Sequence, residues 1–168
     1  MRGLAHTALA AAIVAASVPA VATGSAPAAG AQPSAGTSTP LPFVQRLRRC
    51  DFSYLSNVGP TGYGRAVGQL HRGGAELTAD IQFATGTPNT RYDVRIIQMP
   101  RSAAQPCNAG DPGVAAGVLM TDVAGAGSTT VRATRAPGAT GVWVYITRPG
   151  QFTQLPEEFY SSDAIIGL

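Results

Sequence analysis

Along residues 75–83 of this 168-residue chain, Ala75, Leu77, Ala79, Ile81 and Phe83 alternate with Glu76, Thr78, Asp80 and Gln82. A period of two puts the apolar set on one side of a pleated backbone and the polar set on the other, as in a half-buried β-strand. The turn residues Gly86-Thr87-Pro88-Asn89 follow. Tyr92, Val94 and Ile96 then alternate with Arg91, Asp93 and Arg95, which predicts a second strand with a charged outer face. Residues 117–121 and 128–134 flank Asp122-Val123-Ala124-Gly125-Ala126-Gly127, the spacing of a hairpin whose glycines can take positive φ. Residues 141–147 and 159–166 predict two more strands, separated by a loop holding Pro149, Gly150 and Pro156. Weaker patterns over residues 44–55 and 63–72 bring the total to seven or eight, with no amphipathic helix of useful length between them. Short strands at regular spacing favour an antiparallel sandwich over a small barrel or a parallel sheet.

One strand breaks the alternation. In Val142-Trp143-Val144-Tyr145-Ile146 both faces are apolar, with Trp143 and Tyr145 on one and three aliphatics on the other. The favoured arrangement is a central strand covered on both sides, with residues 43–55 or the final strand supplying the second cover. In the competing arrangement Trp143 and Tyr145 face outward near Arg148. Those three residues are then a candidate binding face, because aromatics beside an arginine suit sugar or peptide contacts.

The N-terminal end is patterned differently. Arg2 precedes a run rich in Ala, Val, Leu and Ile over residues 8–18, Pro19 breaks it, and Ala20-Val21-Ala22 offers small residues to a signal peptidase. Residues 1–22 therefore read as an export signal cleaved between Ala22 and Thr23. Retention as an anchor competes, because residues 4–22 approach the length of a membrane span. His6, Pro19 and the weakly lipophilic Ala and Thr count against it. A lipoprotein fits less well, since Cys50 follows Leu47-Arg48-Arg49 far from the apolar run. Residues 23–42, mostly Ala, Gly, Ser, Thr and Pro, bury too little apolar surface to offset their ordering entropy and read as a flexible linker. Residues 43–168 then make one β-sandwich domain, with no later segment apolar enough to span a membrane.

All twelve basic residues are arginine, and with the abundant Ala, Gly and Pro this suggests a GC-rich coding bias such as that of actinobacteria. The formal charge of +3 falls to +2 when Arg2 leaves with the signal, too small to imply a nucleic-acid partner. Only Arg46, Arg48 and Arg49 cluster, and they read as a solvated lead-in to the first strand rather than as a contact for anionic lipid or wall polymer. Cys50 and Cys107 are the two cysteines of the chain, and an even pair in an exported protein is most simply one disulfide. It would tie the first strand to the loop after a middle strand.

The segment Pro88-Asn89-Thr90-Arg91-Tyr92-Asp93-Val94 carries a "PNT-x-Y-x-V" corner. A cysteine loop (residues 107–113), a "TD-x-x-G-x-G" hairpin (residues 121–127) and a "G-x-W-V" strand (residues 141–144) follow. In these elements and their order the chain resembles actinobacterial secreted β-sandwich proteins of unknown function. It is similar to chordin-type repeat domains and, more distantly, to copper–zinc superoxide dismutase. The resemblance covers about residues 64–168 and implies an immunoglobulin-like or superoxide-dismutase-like antiparallel sandwich. Fold of itself does not settle function. The dismutase family places alternating histidines on the strand corresponding to residues 92–98, where this chain has none. His71 is the one histidine left after the signal. Copper or zinc chemistry needs several nitrogen or sulfur ligands on one ion, so neither a metal cofactor nor dismutase activity is expected.

Other chemistries find little support. His71 is the only imidazole base for a nucleophile among Ser53, Ser56, Ser161 and Ser162, and no Gly-x-Ser-x-Gly elbow surrounds any of them. Glu157, Glu158 and Asp163 are the candidate carboxylates for glycoside cleavage, and Asp111 and Asp122 for calcium, although charge in loops usually serves solubility and Asp is a common turn residue. The resulting expectation is an exported, non-enzymatic module of the cell envelope or medium without cofactor. It would bind a carbohydrate, lipid, peptide or envelope protein, or serve as structure. The alternative is a secreted hydrolase with an unrecognised carboxylate site.

Overall fold

The period-two segments 75–83 and 91–96 become strands in the computed structural model of the chain, which describes residues 36–153 and 155–168. The expected final strand over 159–166 is broken into two short ones at residues 163–165. The elements are β1 (Thr37–Val44), β2 (Arg65–Gly73), β3 (Glu76–Ala84), β4 (Arg91–Met99), β5 (Val114–Met120), β6 (Gly127–Thr134), β7 (Gly141–Arg148), β8 (Glu158–Ser162) and the two-residue β9 (Ile166–Gly167). Every pairing is antiparallel, and the strands run in the order β5-β4-β7-β8-β1-β2-β3-β6, with β9 beside β7. β1 belongs to both sheets. Its residues 37–42 pair with β2, while Phe43 and Val44 pair with β8. β5 and β6, expected as a hairpin, do not pair with each other: β5 pairs with β4 and β6 with β3, at the two ends of the strand order. The fold is an all-β antiparallel sandwich of eight main strands that nearly closes into a barrel.

Alternation decides what each face buries. Leu77, Ala79, Ile81 and Phe83 of β3 meet Tyr92, Val94 and Ile96 of β4 and Val142, Val144 and Ile146 of β7 in the core between the sheets. The opposite face of β7 fills a second core. There Trp143 and Tyr145 lie with Ile97 and Phe159 beneath Leu47, Phe52, Leu55, Val58 and the half-cystines. Trp143 has no exposed surface, and the Phe52 ring meets it edge-on at 5.4 Å. Both faces of β7 are therefore covered, and residues 47–58 supply the second cover.

Two expectations need correction here. Residues 44–55 do not form a strand beyond Val44. They fold as a loop with a turn at Arg49–Phe52, one isolated bridge between Arg48 and Tyr54, and Phe52 in the left-handed region at φ 71°. Cys50 accordingly sits in this loop and not in the first strand. Residues 37–42, read as linker, are most of β1. Pro40 and Pro42 mask the pattern in composition. Over this stretch β1 has a partner strand on one side only, and proline is tolerated where one row of N–H groups faces no ladder. The expected signal, its cleavage point at Ala22 and Thr23, and the rest of the linker lie outside the described residues.

Cys50 and Cys107 are bonded, with their Cα atoms 5.6 Å apart, and join the residue 45–64 loop to the β4–β5 loop. A bridge closing 57 residues should contribute about 4 kcal/mol by restricting the unfolded chain. Reduction, or Cys50→Ser with Cys107→Ser, is expected to lower the urea midpoint accordingly; an unmoved midpoint would show that the loops hold without it. Trp143→Ala should cost about 3–5 kcal/mol and lower the melting temperature by roughly 10 °C or more, because the second core has no other side chain of that volume. A near-native melting curve for this variant would contradict the two-sided burial of β7.

Candidate functional site

Past Ile97 and Trp143, the outer face of β4 and β7 turns polar. Register sets out the rungs: Ala116, Arg95, Tyr145 and Ser161 stand side by side across β5, β4, β7 and β8, and the next rung holds Val118, Asp93, Thr147 and Phe159. Strand alternation alone puts Arg91, Asp93 and Arg95 on this outer face. The loops that cover the apolar rungs also cover the rings of Tyr145 and Phe159 but leave Arg91, Asp93 and Arg95 beside a gap. What remains is a cleft of about 690 Å³, within the usual size of a small-molecule site.

Three loops wall the cleft. Leu47, Arg48, Cys50 and Leu55 come from the first, Pro106, Cys107 and Asn108 from the second, and Pro149, Thr153 and Leu155 from the third. The disulfide links the first two walls. Arg48 anchors the first wall to the sheet: its Nε donates to Ser161 Oγ at 3.0 Å, Nη1 to the Phe52 carbonyl at 2.8 Å and Nη2 to the Asp163 carbonyl at 3.3 Å. Its guanidinium also lies 3.6 Å from the Phe52 ring centroid. Burial, and the neighbouring Arg46 charge, lower its pKa.

The floor is cationic and incompletely satisfied. Arg91 is engaged by Asp93, which accepts from its Nε at 3.1 Å and Nη2 at 2.9 Å. Arg95 has no carboxylate at ion-pair distance among the described residues. It makes two long hydrogen bonds, from Nη1 to the Cys107 carbonyl at 3.2 Å and from Nη2 to Thr147 Oγ1 at 3.3 Å, and lies over the Tyr145 ring. Its Nε and the Tyr145 hydroxyl are out of contact with bulk water and have no hydrogen-bond partner among the described residues. Burial lowers the Arg95 pKa, with Tyr145 and Asp93 opposing. Burial likewise pushes Tyr145 up to about 12, against the pull of Arg95 and of Arg48, so its hydroxyl stays protonated and a donor at neutral pH. A buried donor left unpaired costs about 1–3 kcal/mol. Two such donors adjoin in one floor.

Of the predicted binding face, only Tyr145 belongs to this site. Trp143 is core, so the outward reading of the pair is corrected: residues 47–58 cover both rings. Arg148 has the parity of Val144 and Ile146 rather than of Tyr145. It lies at the strand end, where its Nε donates to Glu158 at 2.9 Å and its Nη1 to Glu157. Sequence reasoning placed Arg95 on a charged outer face but did not single it out, because the loops that enclose it carry no pattern of their own.

Glu158 is the centre of a second, saturated network at one end of the sandwich. Its carboxylate accepts from Tyr160 at 2.9 Å, Tyr92 at 3.0 Å, Thr87 at 2.9 Å and Arg148. The same tyrosine oxygens accept from the backbone N–H of Gly64 at 2.9 Å and Thr87 at 3.1 Å. Gly62, at φ +83°, passes so close that a Cβ would fall 2.5 Å from the carboxylate. The two turn motifs interlock beside it, with Thr121 Oγ1 donating to the Thr87 carbonyl at 2.6 Å and Gly86 N–H to the Gly125 carbonyl at 2.9 Å. These contacts leave the Glu158 carboxylate no vacant acceptor position for acid–base work, and Glu157 shares its arginine.

The remaining candidates are dispersed. His71 Nε2 lies 3.1 Å from Asp80 on the exposed face of the β2–β3 sheet. Ser53, Ser161 and Ser162 bond elsewhere, to Asp51, to the Arg46 carbonyl and to the Ala164 carbonyl. Asp122 accepts from the Ala124 and Ala126 N–H groups, and Asp111 from that of Asn108, as turn residues do. Among the described residues no three His, Cys, Asp or Glu side chains converge as metal ligands, and no helix is long and apolar enough to cross a membrane. No protein-family model, no curated protein and no solved structure matches the chain.

Burial by itself would raise the Glu158 pKa. The hydrogen bonds from Tyr160, Thr87 and Tyr92 and the Arg148 charge reverse this and hold it below the usual carboxylate range. A depressed folded-state pKa gives stability that is present above the unfolded value of about 4.3 and is lost as pH falls through the folded value. The melting temperature should therefore fall in acid below about pH 4.3. Glu158→Gln should flatten that limb of the curve while costing roughly 2–4 kcal/mol at pH 7. An acid limb that survives the substitution would assign the effect to other carboxylates.

Proposed function

We propose that the chain is an exported, non-enzymatic β-sandwich module of the cell envelope or medium, and that the cleft above β4 and β7 is its ligand site. The observation that carries this reading is the pairing of two unpartnered polar groups, Arg95 Nε and the Tyr145 hydroxyl, in the floor of an open cleft walled by loops. Arg72 Nε, Arg101 Nε and Trp143 Nε1 are likewise buried without a partner, but among the described residues only Arg95 and Tyr145 bring two such atoms together on opposed residues of paired strands. A walled cleft with donors left uncommitted in its floor has the composition of a binding site: apolar walls and a few convergent polar groups. Export is supported by the leader pattern and by a disulfide of the kind that persists in oxidising compartments.

Native mass spectrometry of the chain recovered from its own source tests the reading. A mass beginning at Thr23 and short of two hydrogens, with an adduct that leaves on denaturation, is expected. Ala116→Trp, which places a large ring on the exposed rung beside Arg95, should abolish the adduct and leave the melting temperature close to native. An unliganded chain whose melting no sugar, acyl lipid or peptide from that source alters would defeat the proposal.

A further inference from the structure

The chemistry of the floor narrows the ligand, on the premise that the cleft is a ligand site. We infer that it takes a single carboxylate carried on an apolar body, with the carboxylate against the Arg95 guanidinium and the Tyr145 hydroxyl and the apolar part along Leu47, Leu55 and Pro106.

Charge accounting comes first. Of the three arginines around the cleft, Arg48 has committed Nε and both terminal nitrogens to Ser161, Phe52 and Asp163, and Arg91 is neutralised by Asp93. Arg48 has no carboxylate partner either, but each of its three nitrogens has an acceptor; Arg95 is the cleft arginine, among the described residues, with a buried nitrogen that has none. A guanidinium has five N–H groups, and two long bonds leave three of them uncommitted. The guanidinium with the open buried nitrogen calls for one negative charge beside it. A dianion would place its excess charge one rung from the Asp93 carboxylate, where like charges repel.

Donor geometry points the same way. Arg95 and Tyr145 are opposed residues on paired strands, and both lack an acceptor. A planar carboxylate offers two acceptor oxygens, one able to face a guanidinium edge and one a hydroxyl, and charge-assisted bonds of this kind are about twice as strong as neutral ones. A cationic ligand would meet Arg95 head-on. The remaining walls are apolar, and a volume of about 690 Å³ far exceeds what a bare inorganic anion fills, so the acid group must arrive on a larger hydrophobic frame.

Calorimetric titration of the full chain with octanoate and with N-acetyl-leucine, each beside its primary amide and beside sulfate, tests this. At least one acid should bind about tenfold or more tightly than its amide and than sulfate. Preference for octanoate would indicate a free acyl acid, and preference for N-acetyl-leucine a peptide C-terminus. Arg95→Gln should weaken the acid about tenfold. Tyr145→Phe removes a hydroxyl that has no acceptor among the described residues, so it should stay folded and bind several-fold more weakly. Equal binding of acid and amide would overturn the carboxylate while leaving an apolar ligand site. Equal binding of sulfate would reduce the site to a general anion trap and overturn the inference too. If no acid binds, yet the chain carries an uncharged adduct that Ala116→Trp removes, the inference fails and the ligand-site reading stands.

Discussion

A strand that is apolar on both faces can contact water on neither, and the architecture of this domain follows from β7 obeying that constraint. One face, Val142, Val144 and Ile146, is satisfied by the facing sheet in the ordinary manner of a sandwich. The other, Trp143 and Tyr145, has no third sheet to meet. Loop residues 47–58 take that role, and they can do so only if they are held down, because a loop without a ladder has little cooperativity of its own. The disulfide, the Arg48 hydrogen bonds and the contact of Phe52 with Trp143 are three independent restraints serving that one need. The cleft is the remainder: past the covered Tyr145 ring, where the face of β7 reaches Thr147, apolar cover is no longer required, and the loops part.

The two charged centres of the domain show opposite solutions to burying charge. At Glu158, four hydrogen-bond donors surround one carboxylate, and burial of that charge is offset in full. Phe83 packs between the two tyrosines involved, at 4.8 Å from Tyr92 and 5.0 Å from Tyr160, so the network is fixed by core packing as well as by charge. It ties β8, the β3–β4 corner and the residue 45–64 loop at one end of the sandwich. At Arg95, the surroundings supply two long bonds and no counter-charge. Arg48, its neighbour across the cleft, has an acceptor for each of its three nitrogens, whereas the Arg95 Nε has none.

Most of the fold was legible because period-two alternation is strong where one face is buried. β3 carries it throughout and β4 as far as Ile96, while β7 was legible as an apolar run between turn residues, and their limits in the chain fall within a few residues of the pattern. β1 was obscured since Thr, Ser and Pro at an edge look like linker, and only Leu41 and Phe43 hint at a pleat. The residue 44–55 segment misled in the other direction: Leu47, Phe52 and Leu55 are apolar because they cover Trp143, and a covering loop needs apolar residues without needing period two. The disulfide pairing followed from parity of number alone. For the site, the Arg91-Asp93-Arg95 face was visible, yet nothing local distinguishes a solvated charged face from a cleft floor. That difference lies in where residues 106–109 and 149–156 cross, a long-range property with no signature in the strand itself.

If the cleft is the ligand site proposed above, the disulfide bears on recognition as well as on stability. Cys50 and Cys107 each line the cleft, and the bond between them fixes the separation of two walls that rise from different parts of the chain. Arg95 reports on the same junction, since one of its two hydrogen bonds goes to the Cys107 carbonyl. Wall spacing and guanidinium position are thus set by one covalent link. A floor of paired strands cannot shift by less than a full register step, which would turn every side chain to the wrong face. With the floor fixed by register and two walls fixed by a covalent bond, the ordering cost usually met on binding has been met on folding. Such preorganisation suits a site whose affinity rests on a few directed donors, because a donor held in place loses no freedom when its acceptor arrives.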